Sequence, residues 1–391
     1  MTNTKIVSVS GGEGPYNNII KALSRLDLSP FAGKKILIKP NCGREMKSCG
    51  SVNTHPQAVA AVIDAVKNAG AASIAIGESP ILGVNTLNAF ELSGIAAVAN
   101  EREVPLIDMD KRKPVTKPVS NGRILDSLKF CADIFDFDYI VSVPVAKAHM
   151  HTQVTLGIKN MKGCLWRHEK VRLHQLQYKE GTSFPEKTLD TAISDLAYLL
   201  LPNLTVVDGY LGMEGLGPSS GDAKQSDFAV ASFHPLAADM VAAELMGFAL
   251  DEIHHLRIIK ERGIDSVSDT HIIPENYLGF KMEYKRSPSK IDIAFPDVIV
   301  HQGNACSACL STTLLFLKRF AAELGDYVLP DGKLHVALGK DIPDGAPAGT
   351  IYIGNCTKRD SGSGLFISGC PPVASRIFTS ITGSEPESNE P

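Results

Sequence analysis

The stretch Lys35-Ile-Leu-Ile-Lys-Pro-Asn-Cys-Gly43 joins a wholly apolar run to a polar turn. Apolar residues at successive positions are typical of a strand that is covered on both faces, as in a parallel sheet. A helical pattern with one apolar face follows from His55-Pro56 to Gly70, and Ser73-Ile-Ala-Ile-Gly77 repeats the apolar strand. This alternation predicts an α/β fold with a mostly parallel sheet and helices on both faces.

Polar side chains follow several of these predicted strands. Ligands of open α/β sheets bind at the carboxyl ends of the strands, so we expect these side chains to share one crevice. The candidate catalytic residues are Lys147, His149 and Lys39. The candidate substrate-binding residues are Asn41, Glu78, Ser79, Lys159, Asn160 and Asp208. Several lysines and a histidine together favour a small anion such as a carboxylate or phosphate, although any one lysine is also typical of a solvated loop.

The last quarter of the chain carries four cysteines, each just after a short β-branched run or in a Gly-Cys-Pro-Pro turn. They are Cys306, Cys309, Cys356 and Cys370. The runs predict a second, smaller α/β domain whose parallel strands bring the four thiols to one edge. Thiolates gathered in this way are ligands for a [4Fe–4S] cluster, which is the cofactor we expect; structural zinc and unligated thiols are the alternatives.

Three further cysteines lie closer to the predicted crevice. Cys42, Cys49 and Cys164 form a second set that could hold a cluster with one open iron. Unligated thiols are the alternative for this set.

Length and composition set the remaining limits. A chain of 391 residues suits more than one domain, and a net charge of −4 argues against nucleic-acid binding. No apolar run approaches the roughly 20 residues of a membrane-spanning helix, and no signal peptide is evident. Eight cysteines then favour a reducing compartment, and we expect a cytoplasmic protein. The predicted divisions are an α/β domain over 1–250, a connector over 251–292, an α/β cluster domain over 293–383 and a disordered tail over 384–391.

One long polar segment, residues 165–185, carries the only tryptophan, Trp166. It is too long for a simple connection. We interpret it as a lid over the crevice, with Arg167 or Arg172 meeting the substrate's negative charge. A dimer arm is the alternative, so a homodimer is an open expectation.

The N-terminal two-thirds resembles the family catalogued as domain of unknown function 362. The matching stretches are Ile38-Lys-Pro-Asn41, the helix from His55-Pro56 to Asn68-Ala-Gly70, Gly77-Glu-Ser79, Val143-Pro-Val-Ala-Lys-Ala-His149, Gly157-Ile-Lys-Asn-Met-Lys-Gly163 and Asp208-Gly209. The resemblance spans residues 5–250. It implies an iron–sulfur protein, since members often are, while the family's reaction is not generally established. This chain departs from members with a ferredoxin-like segment, because it lacks the closely spaced CxxCxxC run.

These observations lead us to expect an iron–sulfur protein that is a redox or cluster-dependent enzyme, an oxidoreductase or a lyase, acting on a small anionic substrate. An electron carrier or metal-centre maturation factor, with an electron-transfer partner, is the first alternative. A ligand-binding protein with a purely structural cluster is the second.

Overall fold

The computed structural model describes residues 5–48, 51–179, 181–182, 184–288, 294–342, 345–362 and 364–385. The chain divides into two compact units. The first unit comprises Met1–Glu214 and Asp222–Lys285, and the second comprises Gly215–Gly221 and Arg286–Pro391.

The first unit is built on one large mixed sheet and a separate hairpin. Its strands are β1 (Lys5–Gly11), β2 (Lys35–Pro40), β3 (Ser73–Glu78), β4 (Leu106–Asp108), β5 (Val115–Pro118), β6 (Ser127–Phe130), β7 (Tyr139–Val143), β8 (Val145–His149), β9 (Gln153–Thr155), β10 (Leu204–Glu214), β11 (Asp222–Ser232) and β12 (Thr270–Ile273). The sheet order is β12-β1-β11-β10-β7-β2-β3-β4, with β8 beside β10 and β9 beside β8, while β5 and β6 pair only with each other. Strands β10, β7, β2, β3 and β4 run parallel, which places the carboxyl ends of this series at one edge.

Helices cover the large sheet and bury its apolar side chains. They are α1 (Gly14–Leu23), α2 (Pro56–Asn68), α3 (Thr86–Ser93), α4 (Ile95–Glu101), α5 (Gly157–Asn160), α6 (Glu169–Arg172), α7 (Thr188–Leu199), α8 (Pro235–Leu245) and α9 (His254–Glu261). Two separate apolar clusters flank the sheet, one packed around α2 and the other around α7 and α8. Two covered faces are the reason why β2 and β3 are apolar at successive positions.

Helix α2 shows how local sequence sets a boundary. His55 Nδ1 accepts a hydrogen bond from the backbone N–H of Gln57 at 3.2 Å, and Pro56 occupies the first turn, where a missing N–H costs nothing. Gly70, just beyond the helix, has φ +82°, a conformation that glycine adopts without steric cost. His55 therefore caps the helix.

The second unit contains a four-stranded parallel sheet. Its elements are β13 (Val298–Gly303), α10 (Ser307–Phe320), β14 (Leu334–Gly339), β15 (Ile351–Ile353), β16 (Leu365–Ile367) and α11 (Ala374–Thr382). The order β13-β14-β15-β16 follows the chain. The predicted fold class, a large mostly parallel sheet with a small α/β sheet near the C-terminus, is confirmed.

The predicted domain limits differ from this division in two places. Much of the expected connector over 251–292 belongs to the first unit, because α9 packs there and β12 pairs with β1 in parallel. The glycine-rich segment near 212–221 is largely the end of a hairpin formed by β10 and β11, and its tip, Gly215–Gly221, belongs to the second unit.

Candidate functional site

A buried ion pair lies at the carboxyl ends of β2 and β3. Lys39 Nζ is 2.9 Å from Glu78 Oε1, and the two side chains are 0% and 2% exposed. Lys39 Nζ also donates to Asn160 Oδ1 at 3.1 Å. Since the two strands are parallel neighbours, their last residues meet here, as the sequence pattern predicts.

Gly163 leaves the space that the Lys39–Glu78 ion pair occupies. A Cβ at that position would lie 2.5 Å from Lys39 Nζ and would also overlap Glu78 Oε1. Only glycine lets the backbone approach so closely. The glycine of the Lys-Asn-Met-Lys-Gly run is thus required by packing.

Short helix α5 is held in place by Asp239 of α8. Asp239 Oδ1 accepts from the Gly157 N–H at 2.8 Å, and Oδ2 accepts from the Ile158 N–H at 2.9 Å. Burial raises the pKa of Asp239 to about 7, although these two hydrogen bonds oppose the shift. This carboxylate fixes the position of the helix that carries Lys159 and Asn160.

We expect Asp239→Asn to lower the free energy of unfolding by about 1–3 kcal/mol, because an amide can accept only one of the two bonds and leaves a buried N–H without a good acceptor. Chemical unfolding at pH 8.5, where the carboxyl is ionised, measures the loss. The exposed Asp251→Asn is the matched control. Equal stability of the two variants would show that Asp239 does not hold the helix.

Lys147 and Lys159 are buried ammonium groups beside this pair. They are 3% and 8% exposed. Lys147 Nζ donates to Asn41 Oδ1 at 2.6 Å and to the Val52 carbonyl. Lys159 Nζ donates to Thr155 Oγ1 at 3.1 Å. Burial lowers the pKa of each lysine to about 7, and the neighbouring charge of Arg44 adds to the shift at Lys147, as that of Lys147 does at Lys159.

Two further lysines lie here, Lys162 of the Gly157-Ile-Lys-Asn-Met-Lys-Gly163 run and Lys170 of the segment 165–185. Lys162 Nζ lies 2.6 Å from His174 Nε2. Lys170 on α6 donates to Ser79 Oγ and, at 3.1 Å, to the Leu165 carbonyl, and lies 3.6 Å from Asp110. Burial, together with Lys159 and Lys170, lowers the pKa of Lys162 well below its usual value. We call Lys39, Lys147, Lys159, Lys162 and Lys170 the lysine cluster.

His149, a candidate catalytic residue, belongs to the same neighbourhood. It is 3% exposed, and its Nδ1 accepts from the His151 N–H at 3.0 Å. Burial lowers its pKa well below the usual value, and the charges of Lys159, His174 and Lys162 act in the same direction. The imidazole is therefore neutral at physiological pH.

The lysine cluster contains more basic than acidic side chains. Six basic side chains interact electrostatically within it, namely the five lysines and Arg44. Three carboxylates interact electrostatically with these basic side chains, namely those of Glu78, Asp110 and Asp190. Like charges gathered out of water are costly, so an anion that enters here is strongly favoured.

Two expectations for the site differ from the structure. Asp208 accepts hydrogen bonds from the backbone N–H of His55 at 2.8 Å and of Tyr210 at 3.2 Å. Its carboxylate therefore binds backbone amides. Burial raises the pKa of Asp208 to about 6. Arg167 donates to the Asp110 carbonyl and Arg172 is paired with Glu169, so the inward basic side chain of residues 165–185 is Lys170, which donates to Ser79. Each arginine already bonds to another residue of the first unit, so we do not expect either one to bind a ligand.

The four C-terminal cysteines lie at the carboxyl edge of the second unit's sheet. Cys306 precedes α10, Cys309 lies in its first turn, and Cys356 and Cys370 follow β15 and β16. The Cys309 thiol and the backbone N–H groups of Ala308 and Cys309 bond to the Cys306 sulfur, and they lower the pKa of Cys306 to about 6 against the opposing effect of burial. The pKa of Cys309 is raised by its bond to Cys306, then by burial and by the charges of Cys306, Cys370 and Cys356. The four thiols are thus electrostatic neighbours.

This donor set fits a cubane iron–sulfur cluster, since it consists of four thiols and Gly354 leaves room beside them. A Cβ on Gly354 would lie 3.2 Å from Cys309 Sγ. In the described part of the chain, no three His, Cys, Asp or Glu side chains are close enough together to hold a single metal ion.

The other cysteines are placed differently. Cys42 and Cys164 are buried in the first unit, where burial raises the pKa of each thiol to about 12. Cys49 lies outside the described residues.

Fold and site together define an α/β protein with a cluster of buried lysines at the strand ends and a separate four-thiol unit. The chain belongs to the family described as Domain of unknown function (DUF362), whose model matches residues 36–244. The resemblance seen in the sequence is confirmed to that extent.

Thylakoid-associated protein sll1697 of Synechocystis sp. is 27% identical over 214 residues, which cover 55% of this chain and 63% of that relative. Among solved structures, the lactate racemase apoprotein from Thermoanaerobacterium thermosaccharolyticum gives a TM-score of 0.40 at 13% identity, over 63% of this chain and 57% of the other. A structural-genomics protein from Thermotoga maritima gives 0.38 at 17% identity, over 60% of each chain. Across the described residues, none of the helices combines the length and the apolar character that a bilayer crossing requires.

Proposed function

We propose that this chain is an iron–sulfur protein, a redox or cluster-dependent enzyme of the oxidoreductase or lyase type, which acts on a small anionic substrate. The observation that carries the proposal is the lysine cluster, where six basic side chains meet three carboxylates at the carboxyl ends of parallel strands. A bound anionic substrate would favour the ammonium forms of these lysines.

The same lysines can move protons. Lys147 and Lys159 have pKa values of about 7, so each amine is close to half-protonated at neutral pH. A group poised near the working pH serves well as a general acid or base. His149, which is neutral, is a second acceptor within the cluster.

The cofactor in this proposal is a [4Fe–4S] cluster on Cys306, Cys309, Cys356 and Cys370. A cluster of this kind supplies one-electron transfer at a potential set by its surroundings. Zinc, the alternative, is disfavoured because no three His, Cys, Asp or Glu side chains of the described residues lie close enough together to hold a single ion.

One observation favours a second candidate, an electron carrier or metal-centre maturation factor. Of the four proposed ligands, Cys309 is buried, and the other three, Cys306, Cys356 and Cys370, are partly exposed. A carrier needs a metal centre that a protein partner can approach. Under this alternative the partner is an electron-transfer protein.

Variants of the lysine cluster test the enzyme proposal. We expect Lys147→Ala and His149→Ala to abolish turnover in a screen of small carboxylates and phosphate esters, while iron content and the absorption spectrum stay unchanged. The exposed Lys260→Ala is the matched control. Variants that lose iron would assign these residues to the metal centre, and full activity would favour the carrier.

A cytoplasmic location stays a prediction for this chain, as do the absence of nucleic-acid partners and the homodimer. The Synechocystis relative is, by its name, associated with thylakoids.

A further inference from the structure

We propose that Lys162 forms a covalent imine with the carbonyl carbon of a small 2-oxo acid. This inference rests on the proposed anion site, because the carboxylate of such a compound needs the remaining lysines. It adds a reaction step and a substrate class to that site.

Lys162 is the lysine best placed to react. Lys39, Lys147 and Lys159 are buried, whereas Lys162 is partly exposed at the edge of the lysine cluster. Lys170 is partly exposed too, but Asp110 lies 3.6 Å away and favours its ammonium form. The hydrogen-bond partner of Lys162 is an imidazole nitrogen of His174, at 2.6 Å. Lys162 is therefore reachable and paired with a group that can exchange protons.

The surroundings favour an uncharged amine at this position. Lys159 and Lys170 are like charges near Lys162, and burial of the amine acts in the same direction. A lysine that is desolvated, or next to another cation, becomes a nucleophile at neutral pH. His174 does not stabilise the ammonium form of Lys162, because an imidazole ring is neutral or cationic and offers no negative charge.

The step balances without an outside reagent. The nitrogen lone pair forms the C–N bond while the carbonyl π pair moves to oxygen. A proton passes from nitrogen to that oxygen through His174 Nε2, which gives the carbinolamine. The hydroxyl, protonated in turn, leaves as water, and an iminium remains. One water is released, and nothing is oxidised or reduced.

The neighbouring ammonium groups account for the carboxylate of a 2-oxo acid. Buried Lys159 is a neighbour of Lys162, and buried Lys147 is a neighbour of Lys159. Their amines donate to Thr155 and Asn41, whereas the Glu78 carboxylate is bound by Lys39. A carboxylate one carbon away from the reacting carbonyl brings its charge among them. A simple aldehyde lacks that charge and is bound more weakly.

Borohydride trapping tests the inference. The full-length protein is incubated with pyruvate, reduced with sodium borohydride and measured by intact mass spectrometry. We expect a mass gain equal to pyruvic acid minus one oxygen atom, and a peptide map that places the adduct on Lys162. Lys162→Arg should abolish the adduct, while Lys260→Arg, on the exposed surface, should leave it unchanged.

A thermal shift with sulfate separates this inference from the proposed function. Sulfate should stabilise both the wild type and Lys162→Arg, because the other lysines of the cluster are kept in both proteins. Stabilisation by sulfate without any trapped adduct would overturn the imine and leave the anion site. An adduct on other lysines, or spread over several, would also overturn it. If sulfate has no effect on the wild type, the anion site itself fails.

Discussion

Protein purified without oxygen is expected to contain about four iron and four sulfide ions per chain, as one [4Fe–4S] cluster requires. The physical reason is the convergence of four thiols on one edge of the second unit's sheet. Cys306 has a pKa of about 6 and is ready to bind a metal as a thiolate. Iron and sulfide analysis, with absorption spectra before and after dithionite, gives the direct measurement.

Single substitutions of the ligands should have a large effect. We expect Cys309→Ser and Cys356→Ser each to lose most of the iron, because three thiolates hold a cubane far less tightly than four. Cys131→Ala is the control, since Cys131 is buried in the first unit and distant in sequence from the four thiols. Full iron in both serine variants, or zinc in place of iron in the wild type, would contradict the proposal.

The parallel core of the fold could be predicted because it depends on local patterns. Strands β2, β3 and β7 are apolar runs between clear helical periods, so their order and direction follow from the alternation. The β10–β11 hairpin could not be predicted in full, because its distal half is polar and rich in glycine. Strand β12 was missed since four residues with a polar start give no distinct pattern.

The site was predicted where its residues end a strand. Lys39, Glu78 and Lys147 follow apolar runs, and their contacts follow from the parallel direction of the sheet. Lys170 and His174 come from a segment without periodicity, whose path is set by tertiary contacts such as the bond from the Trp166 N–H to the Lys129 carbonyl at 3.0 Å. No spacing in the sequence signals such contacts. Asp208 was assigned to the pocket by its position at a strand end, but its oxygens bind backbone.

The ligand-free protein should become more stable as the pH rises from 7 to 8.5. Lys147 and Lys159 have folded-state pKa values of about 7, below the ordinary 10.5. A depressed pKa means that the unfolded chain binds more protons in this window, so raising the pH favours the folded state. The stability is lost as the pH falls back through 7. The two lysines together should contribute about 1–3 kcal/mol over the window.

Lys162 and Lys170 also have lowered pKa values and act in the same direction as Lys147 and Lys159. The remaining titrating groups interfere little between these limits. Asp208 and Asp239 have raised pKa values of about 6 and 7, so their contribution to the free energy of unfolding falls as the pH rises. Most of that fall lies below pH 7. The thiols of Cys42 and Cys164, with pKa values of about 12, oppose the trend only as the pH approaches 9. His149 and His174 stay neutral in the folded state throughout, because burial lowers their pKa values.

Adding sulfate tests whether the buried lysines cause this pH dependence of stability. A bound anion favours the ammonium forms of the lysine cluster, so sulfate should stabilise the protein more at pH 7 than at pH 8.5 and flatten the pH dependence. The measurement is the chemical unfolding midpoint at both pH values, with and without sulfate. Lys147→Met should reduce the pH dependence and weaken the sulfate effect, since one of the amines with a lowered pKa is gone. Lys260→Met, at an exposed position, should behave as the wild type. A wild type whose stability falls over the window, or an equal sulfate effect in Lys147→Met, would mean that the buried amines are not the charges an anion meets.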